Sequence, residues 1–432
     1  MCSTSGRQFI HLRSAQCFST VSSKKLKIPH NLREGEDVIS SLHDDVLLFI
    51  LSFLDIKFAV HTSILSKRWR SLWYSLRVMN FDHRLYPWFK KFPFKNSLDE
   101  VITVVPNVQE VYLKLSSEPS HCLFTWKSIR VLKLKDVDGF IWIRNPHSVD
   151  LPALEALHLT RVVLNMKLFN GFLSKSPLLE ALTIKCCDFI DVEILNISSP
   201  KLKKLCRDYM TKRFSLENLS ALVSAEIDLH FPFGSNEEYT KQVIQFLEGL
   251  SHAKFLTLSA SSLEIFSSAM GTLQCLPTQL SNLRHFKITS SPNDACAHVL
   301  QLLKSSPNIE SFHLEITWVN LNSYVGRLYW DEPLFYSTVV EVYWEAEQQF
   351  QCMYQLKFIK IKNFLGCENE IKFLKVLLMK ATVLEKISIV LAQVWPYSRD
   401  KMMSVVWKML QSVPRASPHV ILEFVNCFVL KL

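Results

Sequence analysis

Apolar residues return along this chain in two rhythms, and the rhythm changes after Trp73. Downstream, an L-x-x-L-x-L pattern with loose apolar substitution recurs at Val108/Val111/Leu113, Ile129/Leu132/Leu134, Leu154/Leu157/Leu159, Leu179/Leu182/Ile184, Leu283/Phe286/Ile288, Ile309/Phe312/Leu314, Leu356/Ile359/Ile361 and Leu384/Ile387/Ile389. Fainter copies stand at Leu202/Leu205 and Phe255/Leu256/Leu258. Each copy ends in period-two alternation, which predicts a short strand with one apolar and one polar face. Upstream, the period is helical. Leu47, Ile50, Leu51 and Leu54 recur at i, i+3, i+4 and i+7, while Val46, Phe49 and Phe53 make most of the remaining circumference apolar as well. Two more short segments follow, one with Val60, Ile64 and Leu65, the other with Leu65, Trp69, Leu72, Trp73 and Leu76. Ser41 reads as the N-cap of the first helix, with Asp44 completing a capping box and Asp45 beside it at the positive helix end.

The clear copies of the repeat start 21, 25 and 25 residues apart before the spacing widens. A spacing in the twenties is what one strand and a return segment occupy in a leucine-rich-repeat solenoid, whose strands stack into a parallel sheet. Returns of varying length explain the irregularity. Glu237 to Leu250 and Cys296 to Leu303 read as helical returns, and Ser-Pro pairs at Ser176, Ser199 and Ser306 read as turns. With apolar positions inward, the alternating residues line the concave face. Lysines dominate there, at Lys114, Lys133, Lys135, Lys185, Lys287, Lys360, Lys362 and Lys386, against Glu110 and Glu315, so an acidic or phosphorylated protein segment is the expected partner.

By contrast, the helical stretch Asp37 to Trp73 holds too little material to close its own core and carries more apolar surface than one face can use. A partner should complete it.

Composition narrows the classes. A 432-residue chain that is 48% hydrophobic and 21% charged is globular, and its longest apolar run falls short of a spanning helix, so no membrane partner is expected. Eleven cysteines without a C-x-x-C pair predict reduced thiols and no metal site. The net charge of +9 is spread without dense Lys/Arg and aromatic interleaving, so no nucleic-acid partner is expected. No G-x-S-x-G, H-E-x-x-H or P-loop is present, and the reading is a chain that is not an enzyme and needs no cofactor. Met1 to Arg33 holds six Lys or Arg, eight Ser or Thr and no acidic residue, the bias of a disordered leader or an organellar transit peptide.

At DVISSLHDDVLLFILSFLDIKFAVHTSILSKRWRSLW the chain resembles the F-box, the adaptor-docking module of cullin-RING ubiquitin ligases, and the plant type in particular. The similarity is long and ungapped. His43 and Asp55 stand where that pattern carries proline, and losing the fixed φ of proline at a helix start costs roughly 0.5 to 1 kcal/mol. The C-terminal run LKFIKIKNFLGCENEIKFLKVLLMKATVLEKISI resembles the FBD segment of plant F-box proteins, read physically as one more strand-helix-strand unit that caps the solenoid. The expected architecture is α/β: a leader over 1–36, a three-helix F-box over 37–85, an irregular leucine-rich-repeat solenoid over 100–350 and an FBD cap over 351–432, closed by a strand within Val420–Leu432.

The resemblance implies a substrate-recognition subunit of an SCF-type ligase, docked on a Skp-family adaptor and through it a cullin, in nucleus or cytoplasm. The expected adaptor-binding residues are Leu42, Asp44, Asp45, Leu47, Ile50, Leu51, Leu54, Leu65 and Trp69. Two alternatives stand beside it: a non-ligase repeat scaffold whose F-box is impaired, and an organelle-imported binding protein.

Overall fold

The computed structural model describes residues 39, 41–85, most of 101–136, 141–143, 149–190, 194–208, 213–228, 245–259, 280–290, 306–316, 353–364, 368–392 and 410–425, with isolated positions at 262, 299–300, 302–303 and 407–408. The leader therefore lies outside the described residues, as do most of the two helical returns, of which 245–249, 299–300 and 302–303 are helical.

Among the described residues, thirteen strands form one sheet in which every neighbour pair is parallel and spatial order equals chain order. They are β1 (Val78–Asp82), β2 (Glu110–Leu115), β3 (Val131–Asp136), β4 (Ala156–Thr160), β5 (Ala181–Lys185), β6 (Lys204–Asp208), β7 (Ser224–Ile227), β8 (Phe255–Ser259), β9 (His285–Ser290), β10 (Ser311–Ile316), β11 (Phe358–Phe364), β12 (Lys386–Leu391) and β13 (Ile421–Val425). All eight clear copies of the repeat form strands, and their apolar positions are buried. Register explains why. Val111, Leu132, Leu157, Leu182, Leu205, Ala225, Leu256, Phe286, Phe312, Ile359 and Ile387 are Cα partners in sequence across the sheet, so each repeat covers its neighbour's apolar row.

The Ser-Pro turns behave as punctuation. Ser176, Ser199 and Ser306 accept from the amides of Leu179, Leu202 and Ile309 at 3.0, 3.2 and 3.4 Å, each turn delivering a consensus leucine or isoleucine to the core. Arg161 and Cys186, directly after β4 and β5, take the left-handed conformation at φ 56° and 50°. There the chain leaves the main sheet for a small parallel sheet of Ile141–Ile143, Val162–Asn165 and Asp188–Ile190. A helix the pattern did not reveal, Met166–Ser174, packs behind it through Phe169 on Phe189 and Phe172 on Phe124. Toward the C-terminus the expected strand-helix-strand unit forms as β11, helix Glu368–Lys380 and β12, followed by β13 within the segment expected to close the sheet.

Five strands fall outside the eight clear copies, and three of them have separate local reasons. β1 lies inside the stretch assigned to the docking module. β7 places Ala225 where the pattern wants a large apolar residue. β6 places Arg207 at the third consensus position, fully buried between Ile184 and Ile227, where desolvation holds its guanidinium well below the usual pKa.

Before the sheet come three short helices, α1 (Asp44–Leu51), α2 (Ile56–His61) and α3 (Lys67–Leu72). The cap of α1 is not Ser41 but His43, whose Nδ1 accepts from Asp45 N at 3.3 Å. Helix α2 is capped by Asp55, which accepts from Lys57 N at 3.0 Å. Both caps have φ −63°, the value proline imposes. The backbone shape of the proline pattern survives at both places, held by side-chain hydrogen bonds in place of a ring.

Candidate functional site

Two surfaces separate from the core, one on the helices and one on the sheet. On the helices, the near-continuous apolar girth of α1 splits cleanly. Leu47 and Leu51 face inward and are 0% and 1% exposed, whereas Phe49 and Ile50 face out. Trp69, with Leu72, is buried from α3. The expectation that Leu47, Leu51 and Trp69 contact an adaptor is therefore corrected: they close the module's own core, one continuous cluster with the repeat residues. Leu42 and Leu54 are partly buried against the same cluster. Period alone could not decide which face of an all-round apolar helix turns inward.

What remains outside is informative. Ile64 is 87% exposed and Leu65 62%, in the tight turn between α2 and α3, and Ile39, Ile50, Phe49 and Tyr74 are exposed too. Of the nominated apolar residues, Ile50 and Leu65 are exposed. Ile39, Phe49, Ile64 and Tyr74 share that exposed surface without having been nominated. Asp45 is exposed beside His43. Asp44 is engaged within the module, accepting from Arg68 Nε at 2.8 Å, so it ties α1 to α3.

The helices are clamped to the sheet. Asp55 accepts from Asp82 N at 2.6 Å, Asn80 Nδ2 donates to Ser52 O at 2.6 Å and Leu54 O at 3.1 Å, and Lys57 Nζ donates to Leu85 O at 2.9 Å. Asp55 thus caps one element and orients the next.

The open face of the sheet is the second surface. Its lysine row is less naked than composition implied. Lys114 pairs with Asp82 at 3.1 Å, Lys185 approaches Glu226 at 3.8 Å, and Lys287 and Lys362 share Glu315 at 2.9 and 3.9 Å. Lys386 pairs with Glu423 at 2.9 Å. Asp82, Glu226 and Glu423 went uncounted because β1, β7 and β13 carried no clear repeat. Lys133 lies over the Tyr112 ring, 4.6 Å from its centroid, and Tyr112 donates to Glu110. Lys135 and Lys360 have no carboxylate partner among the described residues.

Two histidines report the local field. Burial, then Lys133 and Lys185, push the His158 imidazole down to about 4. Burial, then Lys287 and Lys362, push His313 to about 4 as well, with Glu315 opposing. Asp82 moves the other way among its partners: burial raises it, but hydrogen bonds from Arg84 and Lys114 outweigh that and hold it at about 2. At the start of the C-terminal strands the face turns aromatic. Phe255 stacks on His285 at 4.4 Å and 17°, His285 Nδ1 meets Ser311 Oγ at 2.8 Å, and Phe358 stands exposed two strands beyond His285.

Among the described residues no three His, Cys, Asp or Glu side chains converge as a metal site, and no helix is long and apolar enough to cross a membrane.

Comparison with known proteins follows the same division of the chain. A family model described as "FBD-associated F-box protein At5g56370, LRR repeats" matches residues 88–314, an F-box domain model matches 39–81, and an FBD model matches 350–389. Among curated proteins of Arabidopsis thaliana, the putative F-box/FBD/LRR-repeat protein At1g66290 is 24% identical over 88% of this chain and 92% of its own length. The F-box/FBD/LRR-repeat protein At5g53840 is 25% identical over 88% and 94%. The F-box/LRR-repeat protein At4g14103 is 28% identical over 65% and 92%.

Proposed function

The chain belongs to the family of FBD-associated F-box proteins with leucine-rich repeats, and from that membership we propose that it is the substrate-recognition subunit of an SCF-type ubiquitin ligase. The observation that carries the reading is the placement of Ile64 and Leu65, which point into solvent from a module whose other large side chains are mostly packed. Exposed isoleucine and leucine side chains favour a partner, each contributing on the order of 1.5 to 3 kcal/mol if fully buried. A Skp-family adaptor fits that role and links the chain to a cullin. The repeat sheet then holds a target protein, with an acidic or phosphorylated segment against its lysines. The chain supplies no reacting group; it raises the local concentration of target lysines near the ubiquitin-charged enzyme.

The clamp at Asp55, Asn80 and Asp82 supports this reading, because proximity is useful only when the docked end and the holding end keep a fixed relation. The proline positions do not argue for an impaired module, since His43 and Asp55 cap their helices at the φ proline would impose. A nuclear or cytoplasmic site of action belongs to the same proposal, and residues 1–36 fused to a fluorescent reporter test it against organelle import.

The direct test is co-purification of the full chain with a Skp-family adaptor, beside the double variant Ile64→Asp/Leu65→Asp. The proposal expects a stoichiometric complex for the parent chain and an affinity at least about a hundredfold weaker for the variant, whose thermal unfolding stays unchanged. No complex with the parent chain would leave the repeat-scaffold reading in its place.

A further inference from the structure

The edge of the sheet where the strands begin carries a regular row. The carbonyls of Arg77, Gln109, Arg130, Glu155 and Glu180 each accept two consecutive amides at the next strand's entry, at 2.7 to 3.0 Å, which sets these residues and Lys203 one strand apart. The same pattern runs on through Val223 and Lys254 to Arg284 and Glu310. Neighbours on this row cancel charge: Arg130 meets Glu155 at 2.7 Å, Lys203 meets Glu180 at 2.7 Å and Arg284 meets Glu310 at 3.5 Å. Arg77 faces Gln109 instead. Of the three arginines on the row it is the one without a carboxylate partner among the described residues. Beside it lies an open depression of about 350 Å³ lined by Ser75, Arg77, Asn107, Gln109 and Ser128. Ser75 ends the turn Trp73–Ser75 after α3, Asn107 and Gln109 lie at the entry to β2, and Ser128 lies at the entry to β3, so three successive segments of the chain meet there. Ser128 Oγ donates to Val108 O at 2.7 Å, whereas the side chains of Ser75, Arg77, Asn107 and Gln109 bond to no other described residue. No acidic side chain lines the depression among the described residues.

We propose that this pocket, at the seam between the helical module and the first repeats, binds a phosphate monoester, with Arg77 as its cation and Ser75, Asn107 and Gln109 as hydrogen-bond donors. A planar carboxylate would be satisfied by the guanidinium alone, through two parallel N–H bonds. Amide and hydroxyl donors arriving from separate segments add what a tetrahedral group with three terminal oxygens needs. At about 30 Å³ per water molecule the depression has room for roughly ten waters, enough for a phosphoryl group and the first atoms of its ester. Ser75 belongs to the helices and the other donors to the repeats, so a bound phosphate bridges the two regions. The nearest acids of the row are engaged elsewhere: Glu155 with Arg130, and Glu110, opposite Val78 on the open face, with the Tyr112 hydroxyl. The inference does not depend on the receptor reading. Its ligand is a phosphoryl group, carried either by a small ester or by a phosphorylated side chain.

Phosphorus NMR titration of the full chain tests the idea, with glycerol 3-phosphate, N-acetyl-phosphoserine amide and inorganic phosphate as probes at constant ionic strength. At least one of the two esters should show saturable line broadening. Arg77→Gln should weaken that binding at least about tenfold, by removing the bidentate cation. Asn107→Ala/Gln109→Ala leaves net charge unchanged and should also weaken it, which separates a shaped pocket from general attraction to a basic protein. Arg130→Gln, whose cation already has Glu155, should bind as the parent does. All of these side chains are at the surface, and circular dichroism checks that each variant folds. Tighter binding of the phosphoserine probe supports the site with a phosphorylated protein segment as its source; tighter binding of glycerol 3-phosphate supports it with a small ester. Broadening that does not saturate, equal binding by parent and Arg77→Gln, binding of inorganic phosphate without either ester, or equal displacement by acetate would overturn the proposal.

Discussion

The docking helices and the repeat sheet use the same apolar residues in opposite economies. In the sheet, every clear consensus position is buried, because a strand shows alternate residues to opposite faces and each parallel neighbour covers the last. In the helices, apolar residues outnumber inward positions, so Phe49, Ile50, Ile64 and Leu65 face out while Leu47 and Leu51 complete a core that continues into the sheet. Surplus, rather than hydrophobicity as such, marks the surface meant for a partner. The lesson extends to charge. Lysines on the sheet are numerous, but most meet a carboxylate across the strands, and only the residue left over carries information about a ligand.

The comparison can be broken at its core first. Leu159→Ala, fully buried on β4, should cost about 2 to 5 kcal/mol in urea unfolding. A cost below about 1 kcal/mol would mean that the repeat core is looser than its burial implies.

Next in size is the joint between the regions. Asp55→Ala removes the cap of α2 and the bond from Asp82 N together, and should lower stability by about 1 to 3 kcal/mol. Asp55→Pro keeps φ but loses both bonds, so it should not rescue the loss. If it does, the ring pattern and not the carboxylate was what this position needed.

The pH dependence is smaller. His158 and His313 titrate at about 4 when folded and near 6.5 when unfolded, so the unfolded chain binds more protons between those values. Their contribution is complete above pH 6.5 and is lost as pH falls toward 4. It amounts to about 1 kcal/mol each once solvent screening is allowed for. The double variant His158→Gln/His313→Gln should flatten unfolding free energy over that window. An unchanged slope would place the field of the open face elsewhere.

At the small end, His43→Pro should raise stability by up to about 1 kcal/mol, since the backbone already has φ −63° and the lost bond is long and exposed. Ile64→Ser should change stability by less than about 0.5 kcal/mol in the isolated chain. A large loss in unfolding experiments would show that Ile64 serves the fold.

Much of this architecture was legible in the linear pattern. Period-two alternation with a fixed L-x-x-L-x-L offset admits one burial solution, and the strands from Glu110 to Leu391 that carry it formed as read. The pattern faded where one residue broke it, at Ala225 and at Arg207. It misled where a helix was apolar on every side, and Leu47 and Leu51 of α1 were assigned outward for that reason. It was silent on the open face's first position, where Phe255 and Phe358 share the alternation of the lysines but precede the consensus register.

The sequence by itself determined the repeat, its register and the family likeness, because each depends on local spacing that neighbours along the chain enforce. Only the tertiary structure decided which apolar residues were spare, which lysines were unpaired and which carboxylate ties the helices to the sheet. Those outcomes depend on residues brought together from 25 or more positions apart, as the Asp55 carboxylate meets the Asp82 amide and Lys114 meets the Asp82 carboxylate, and no period along the chain encodes them.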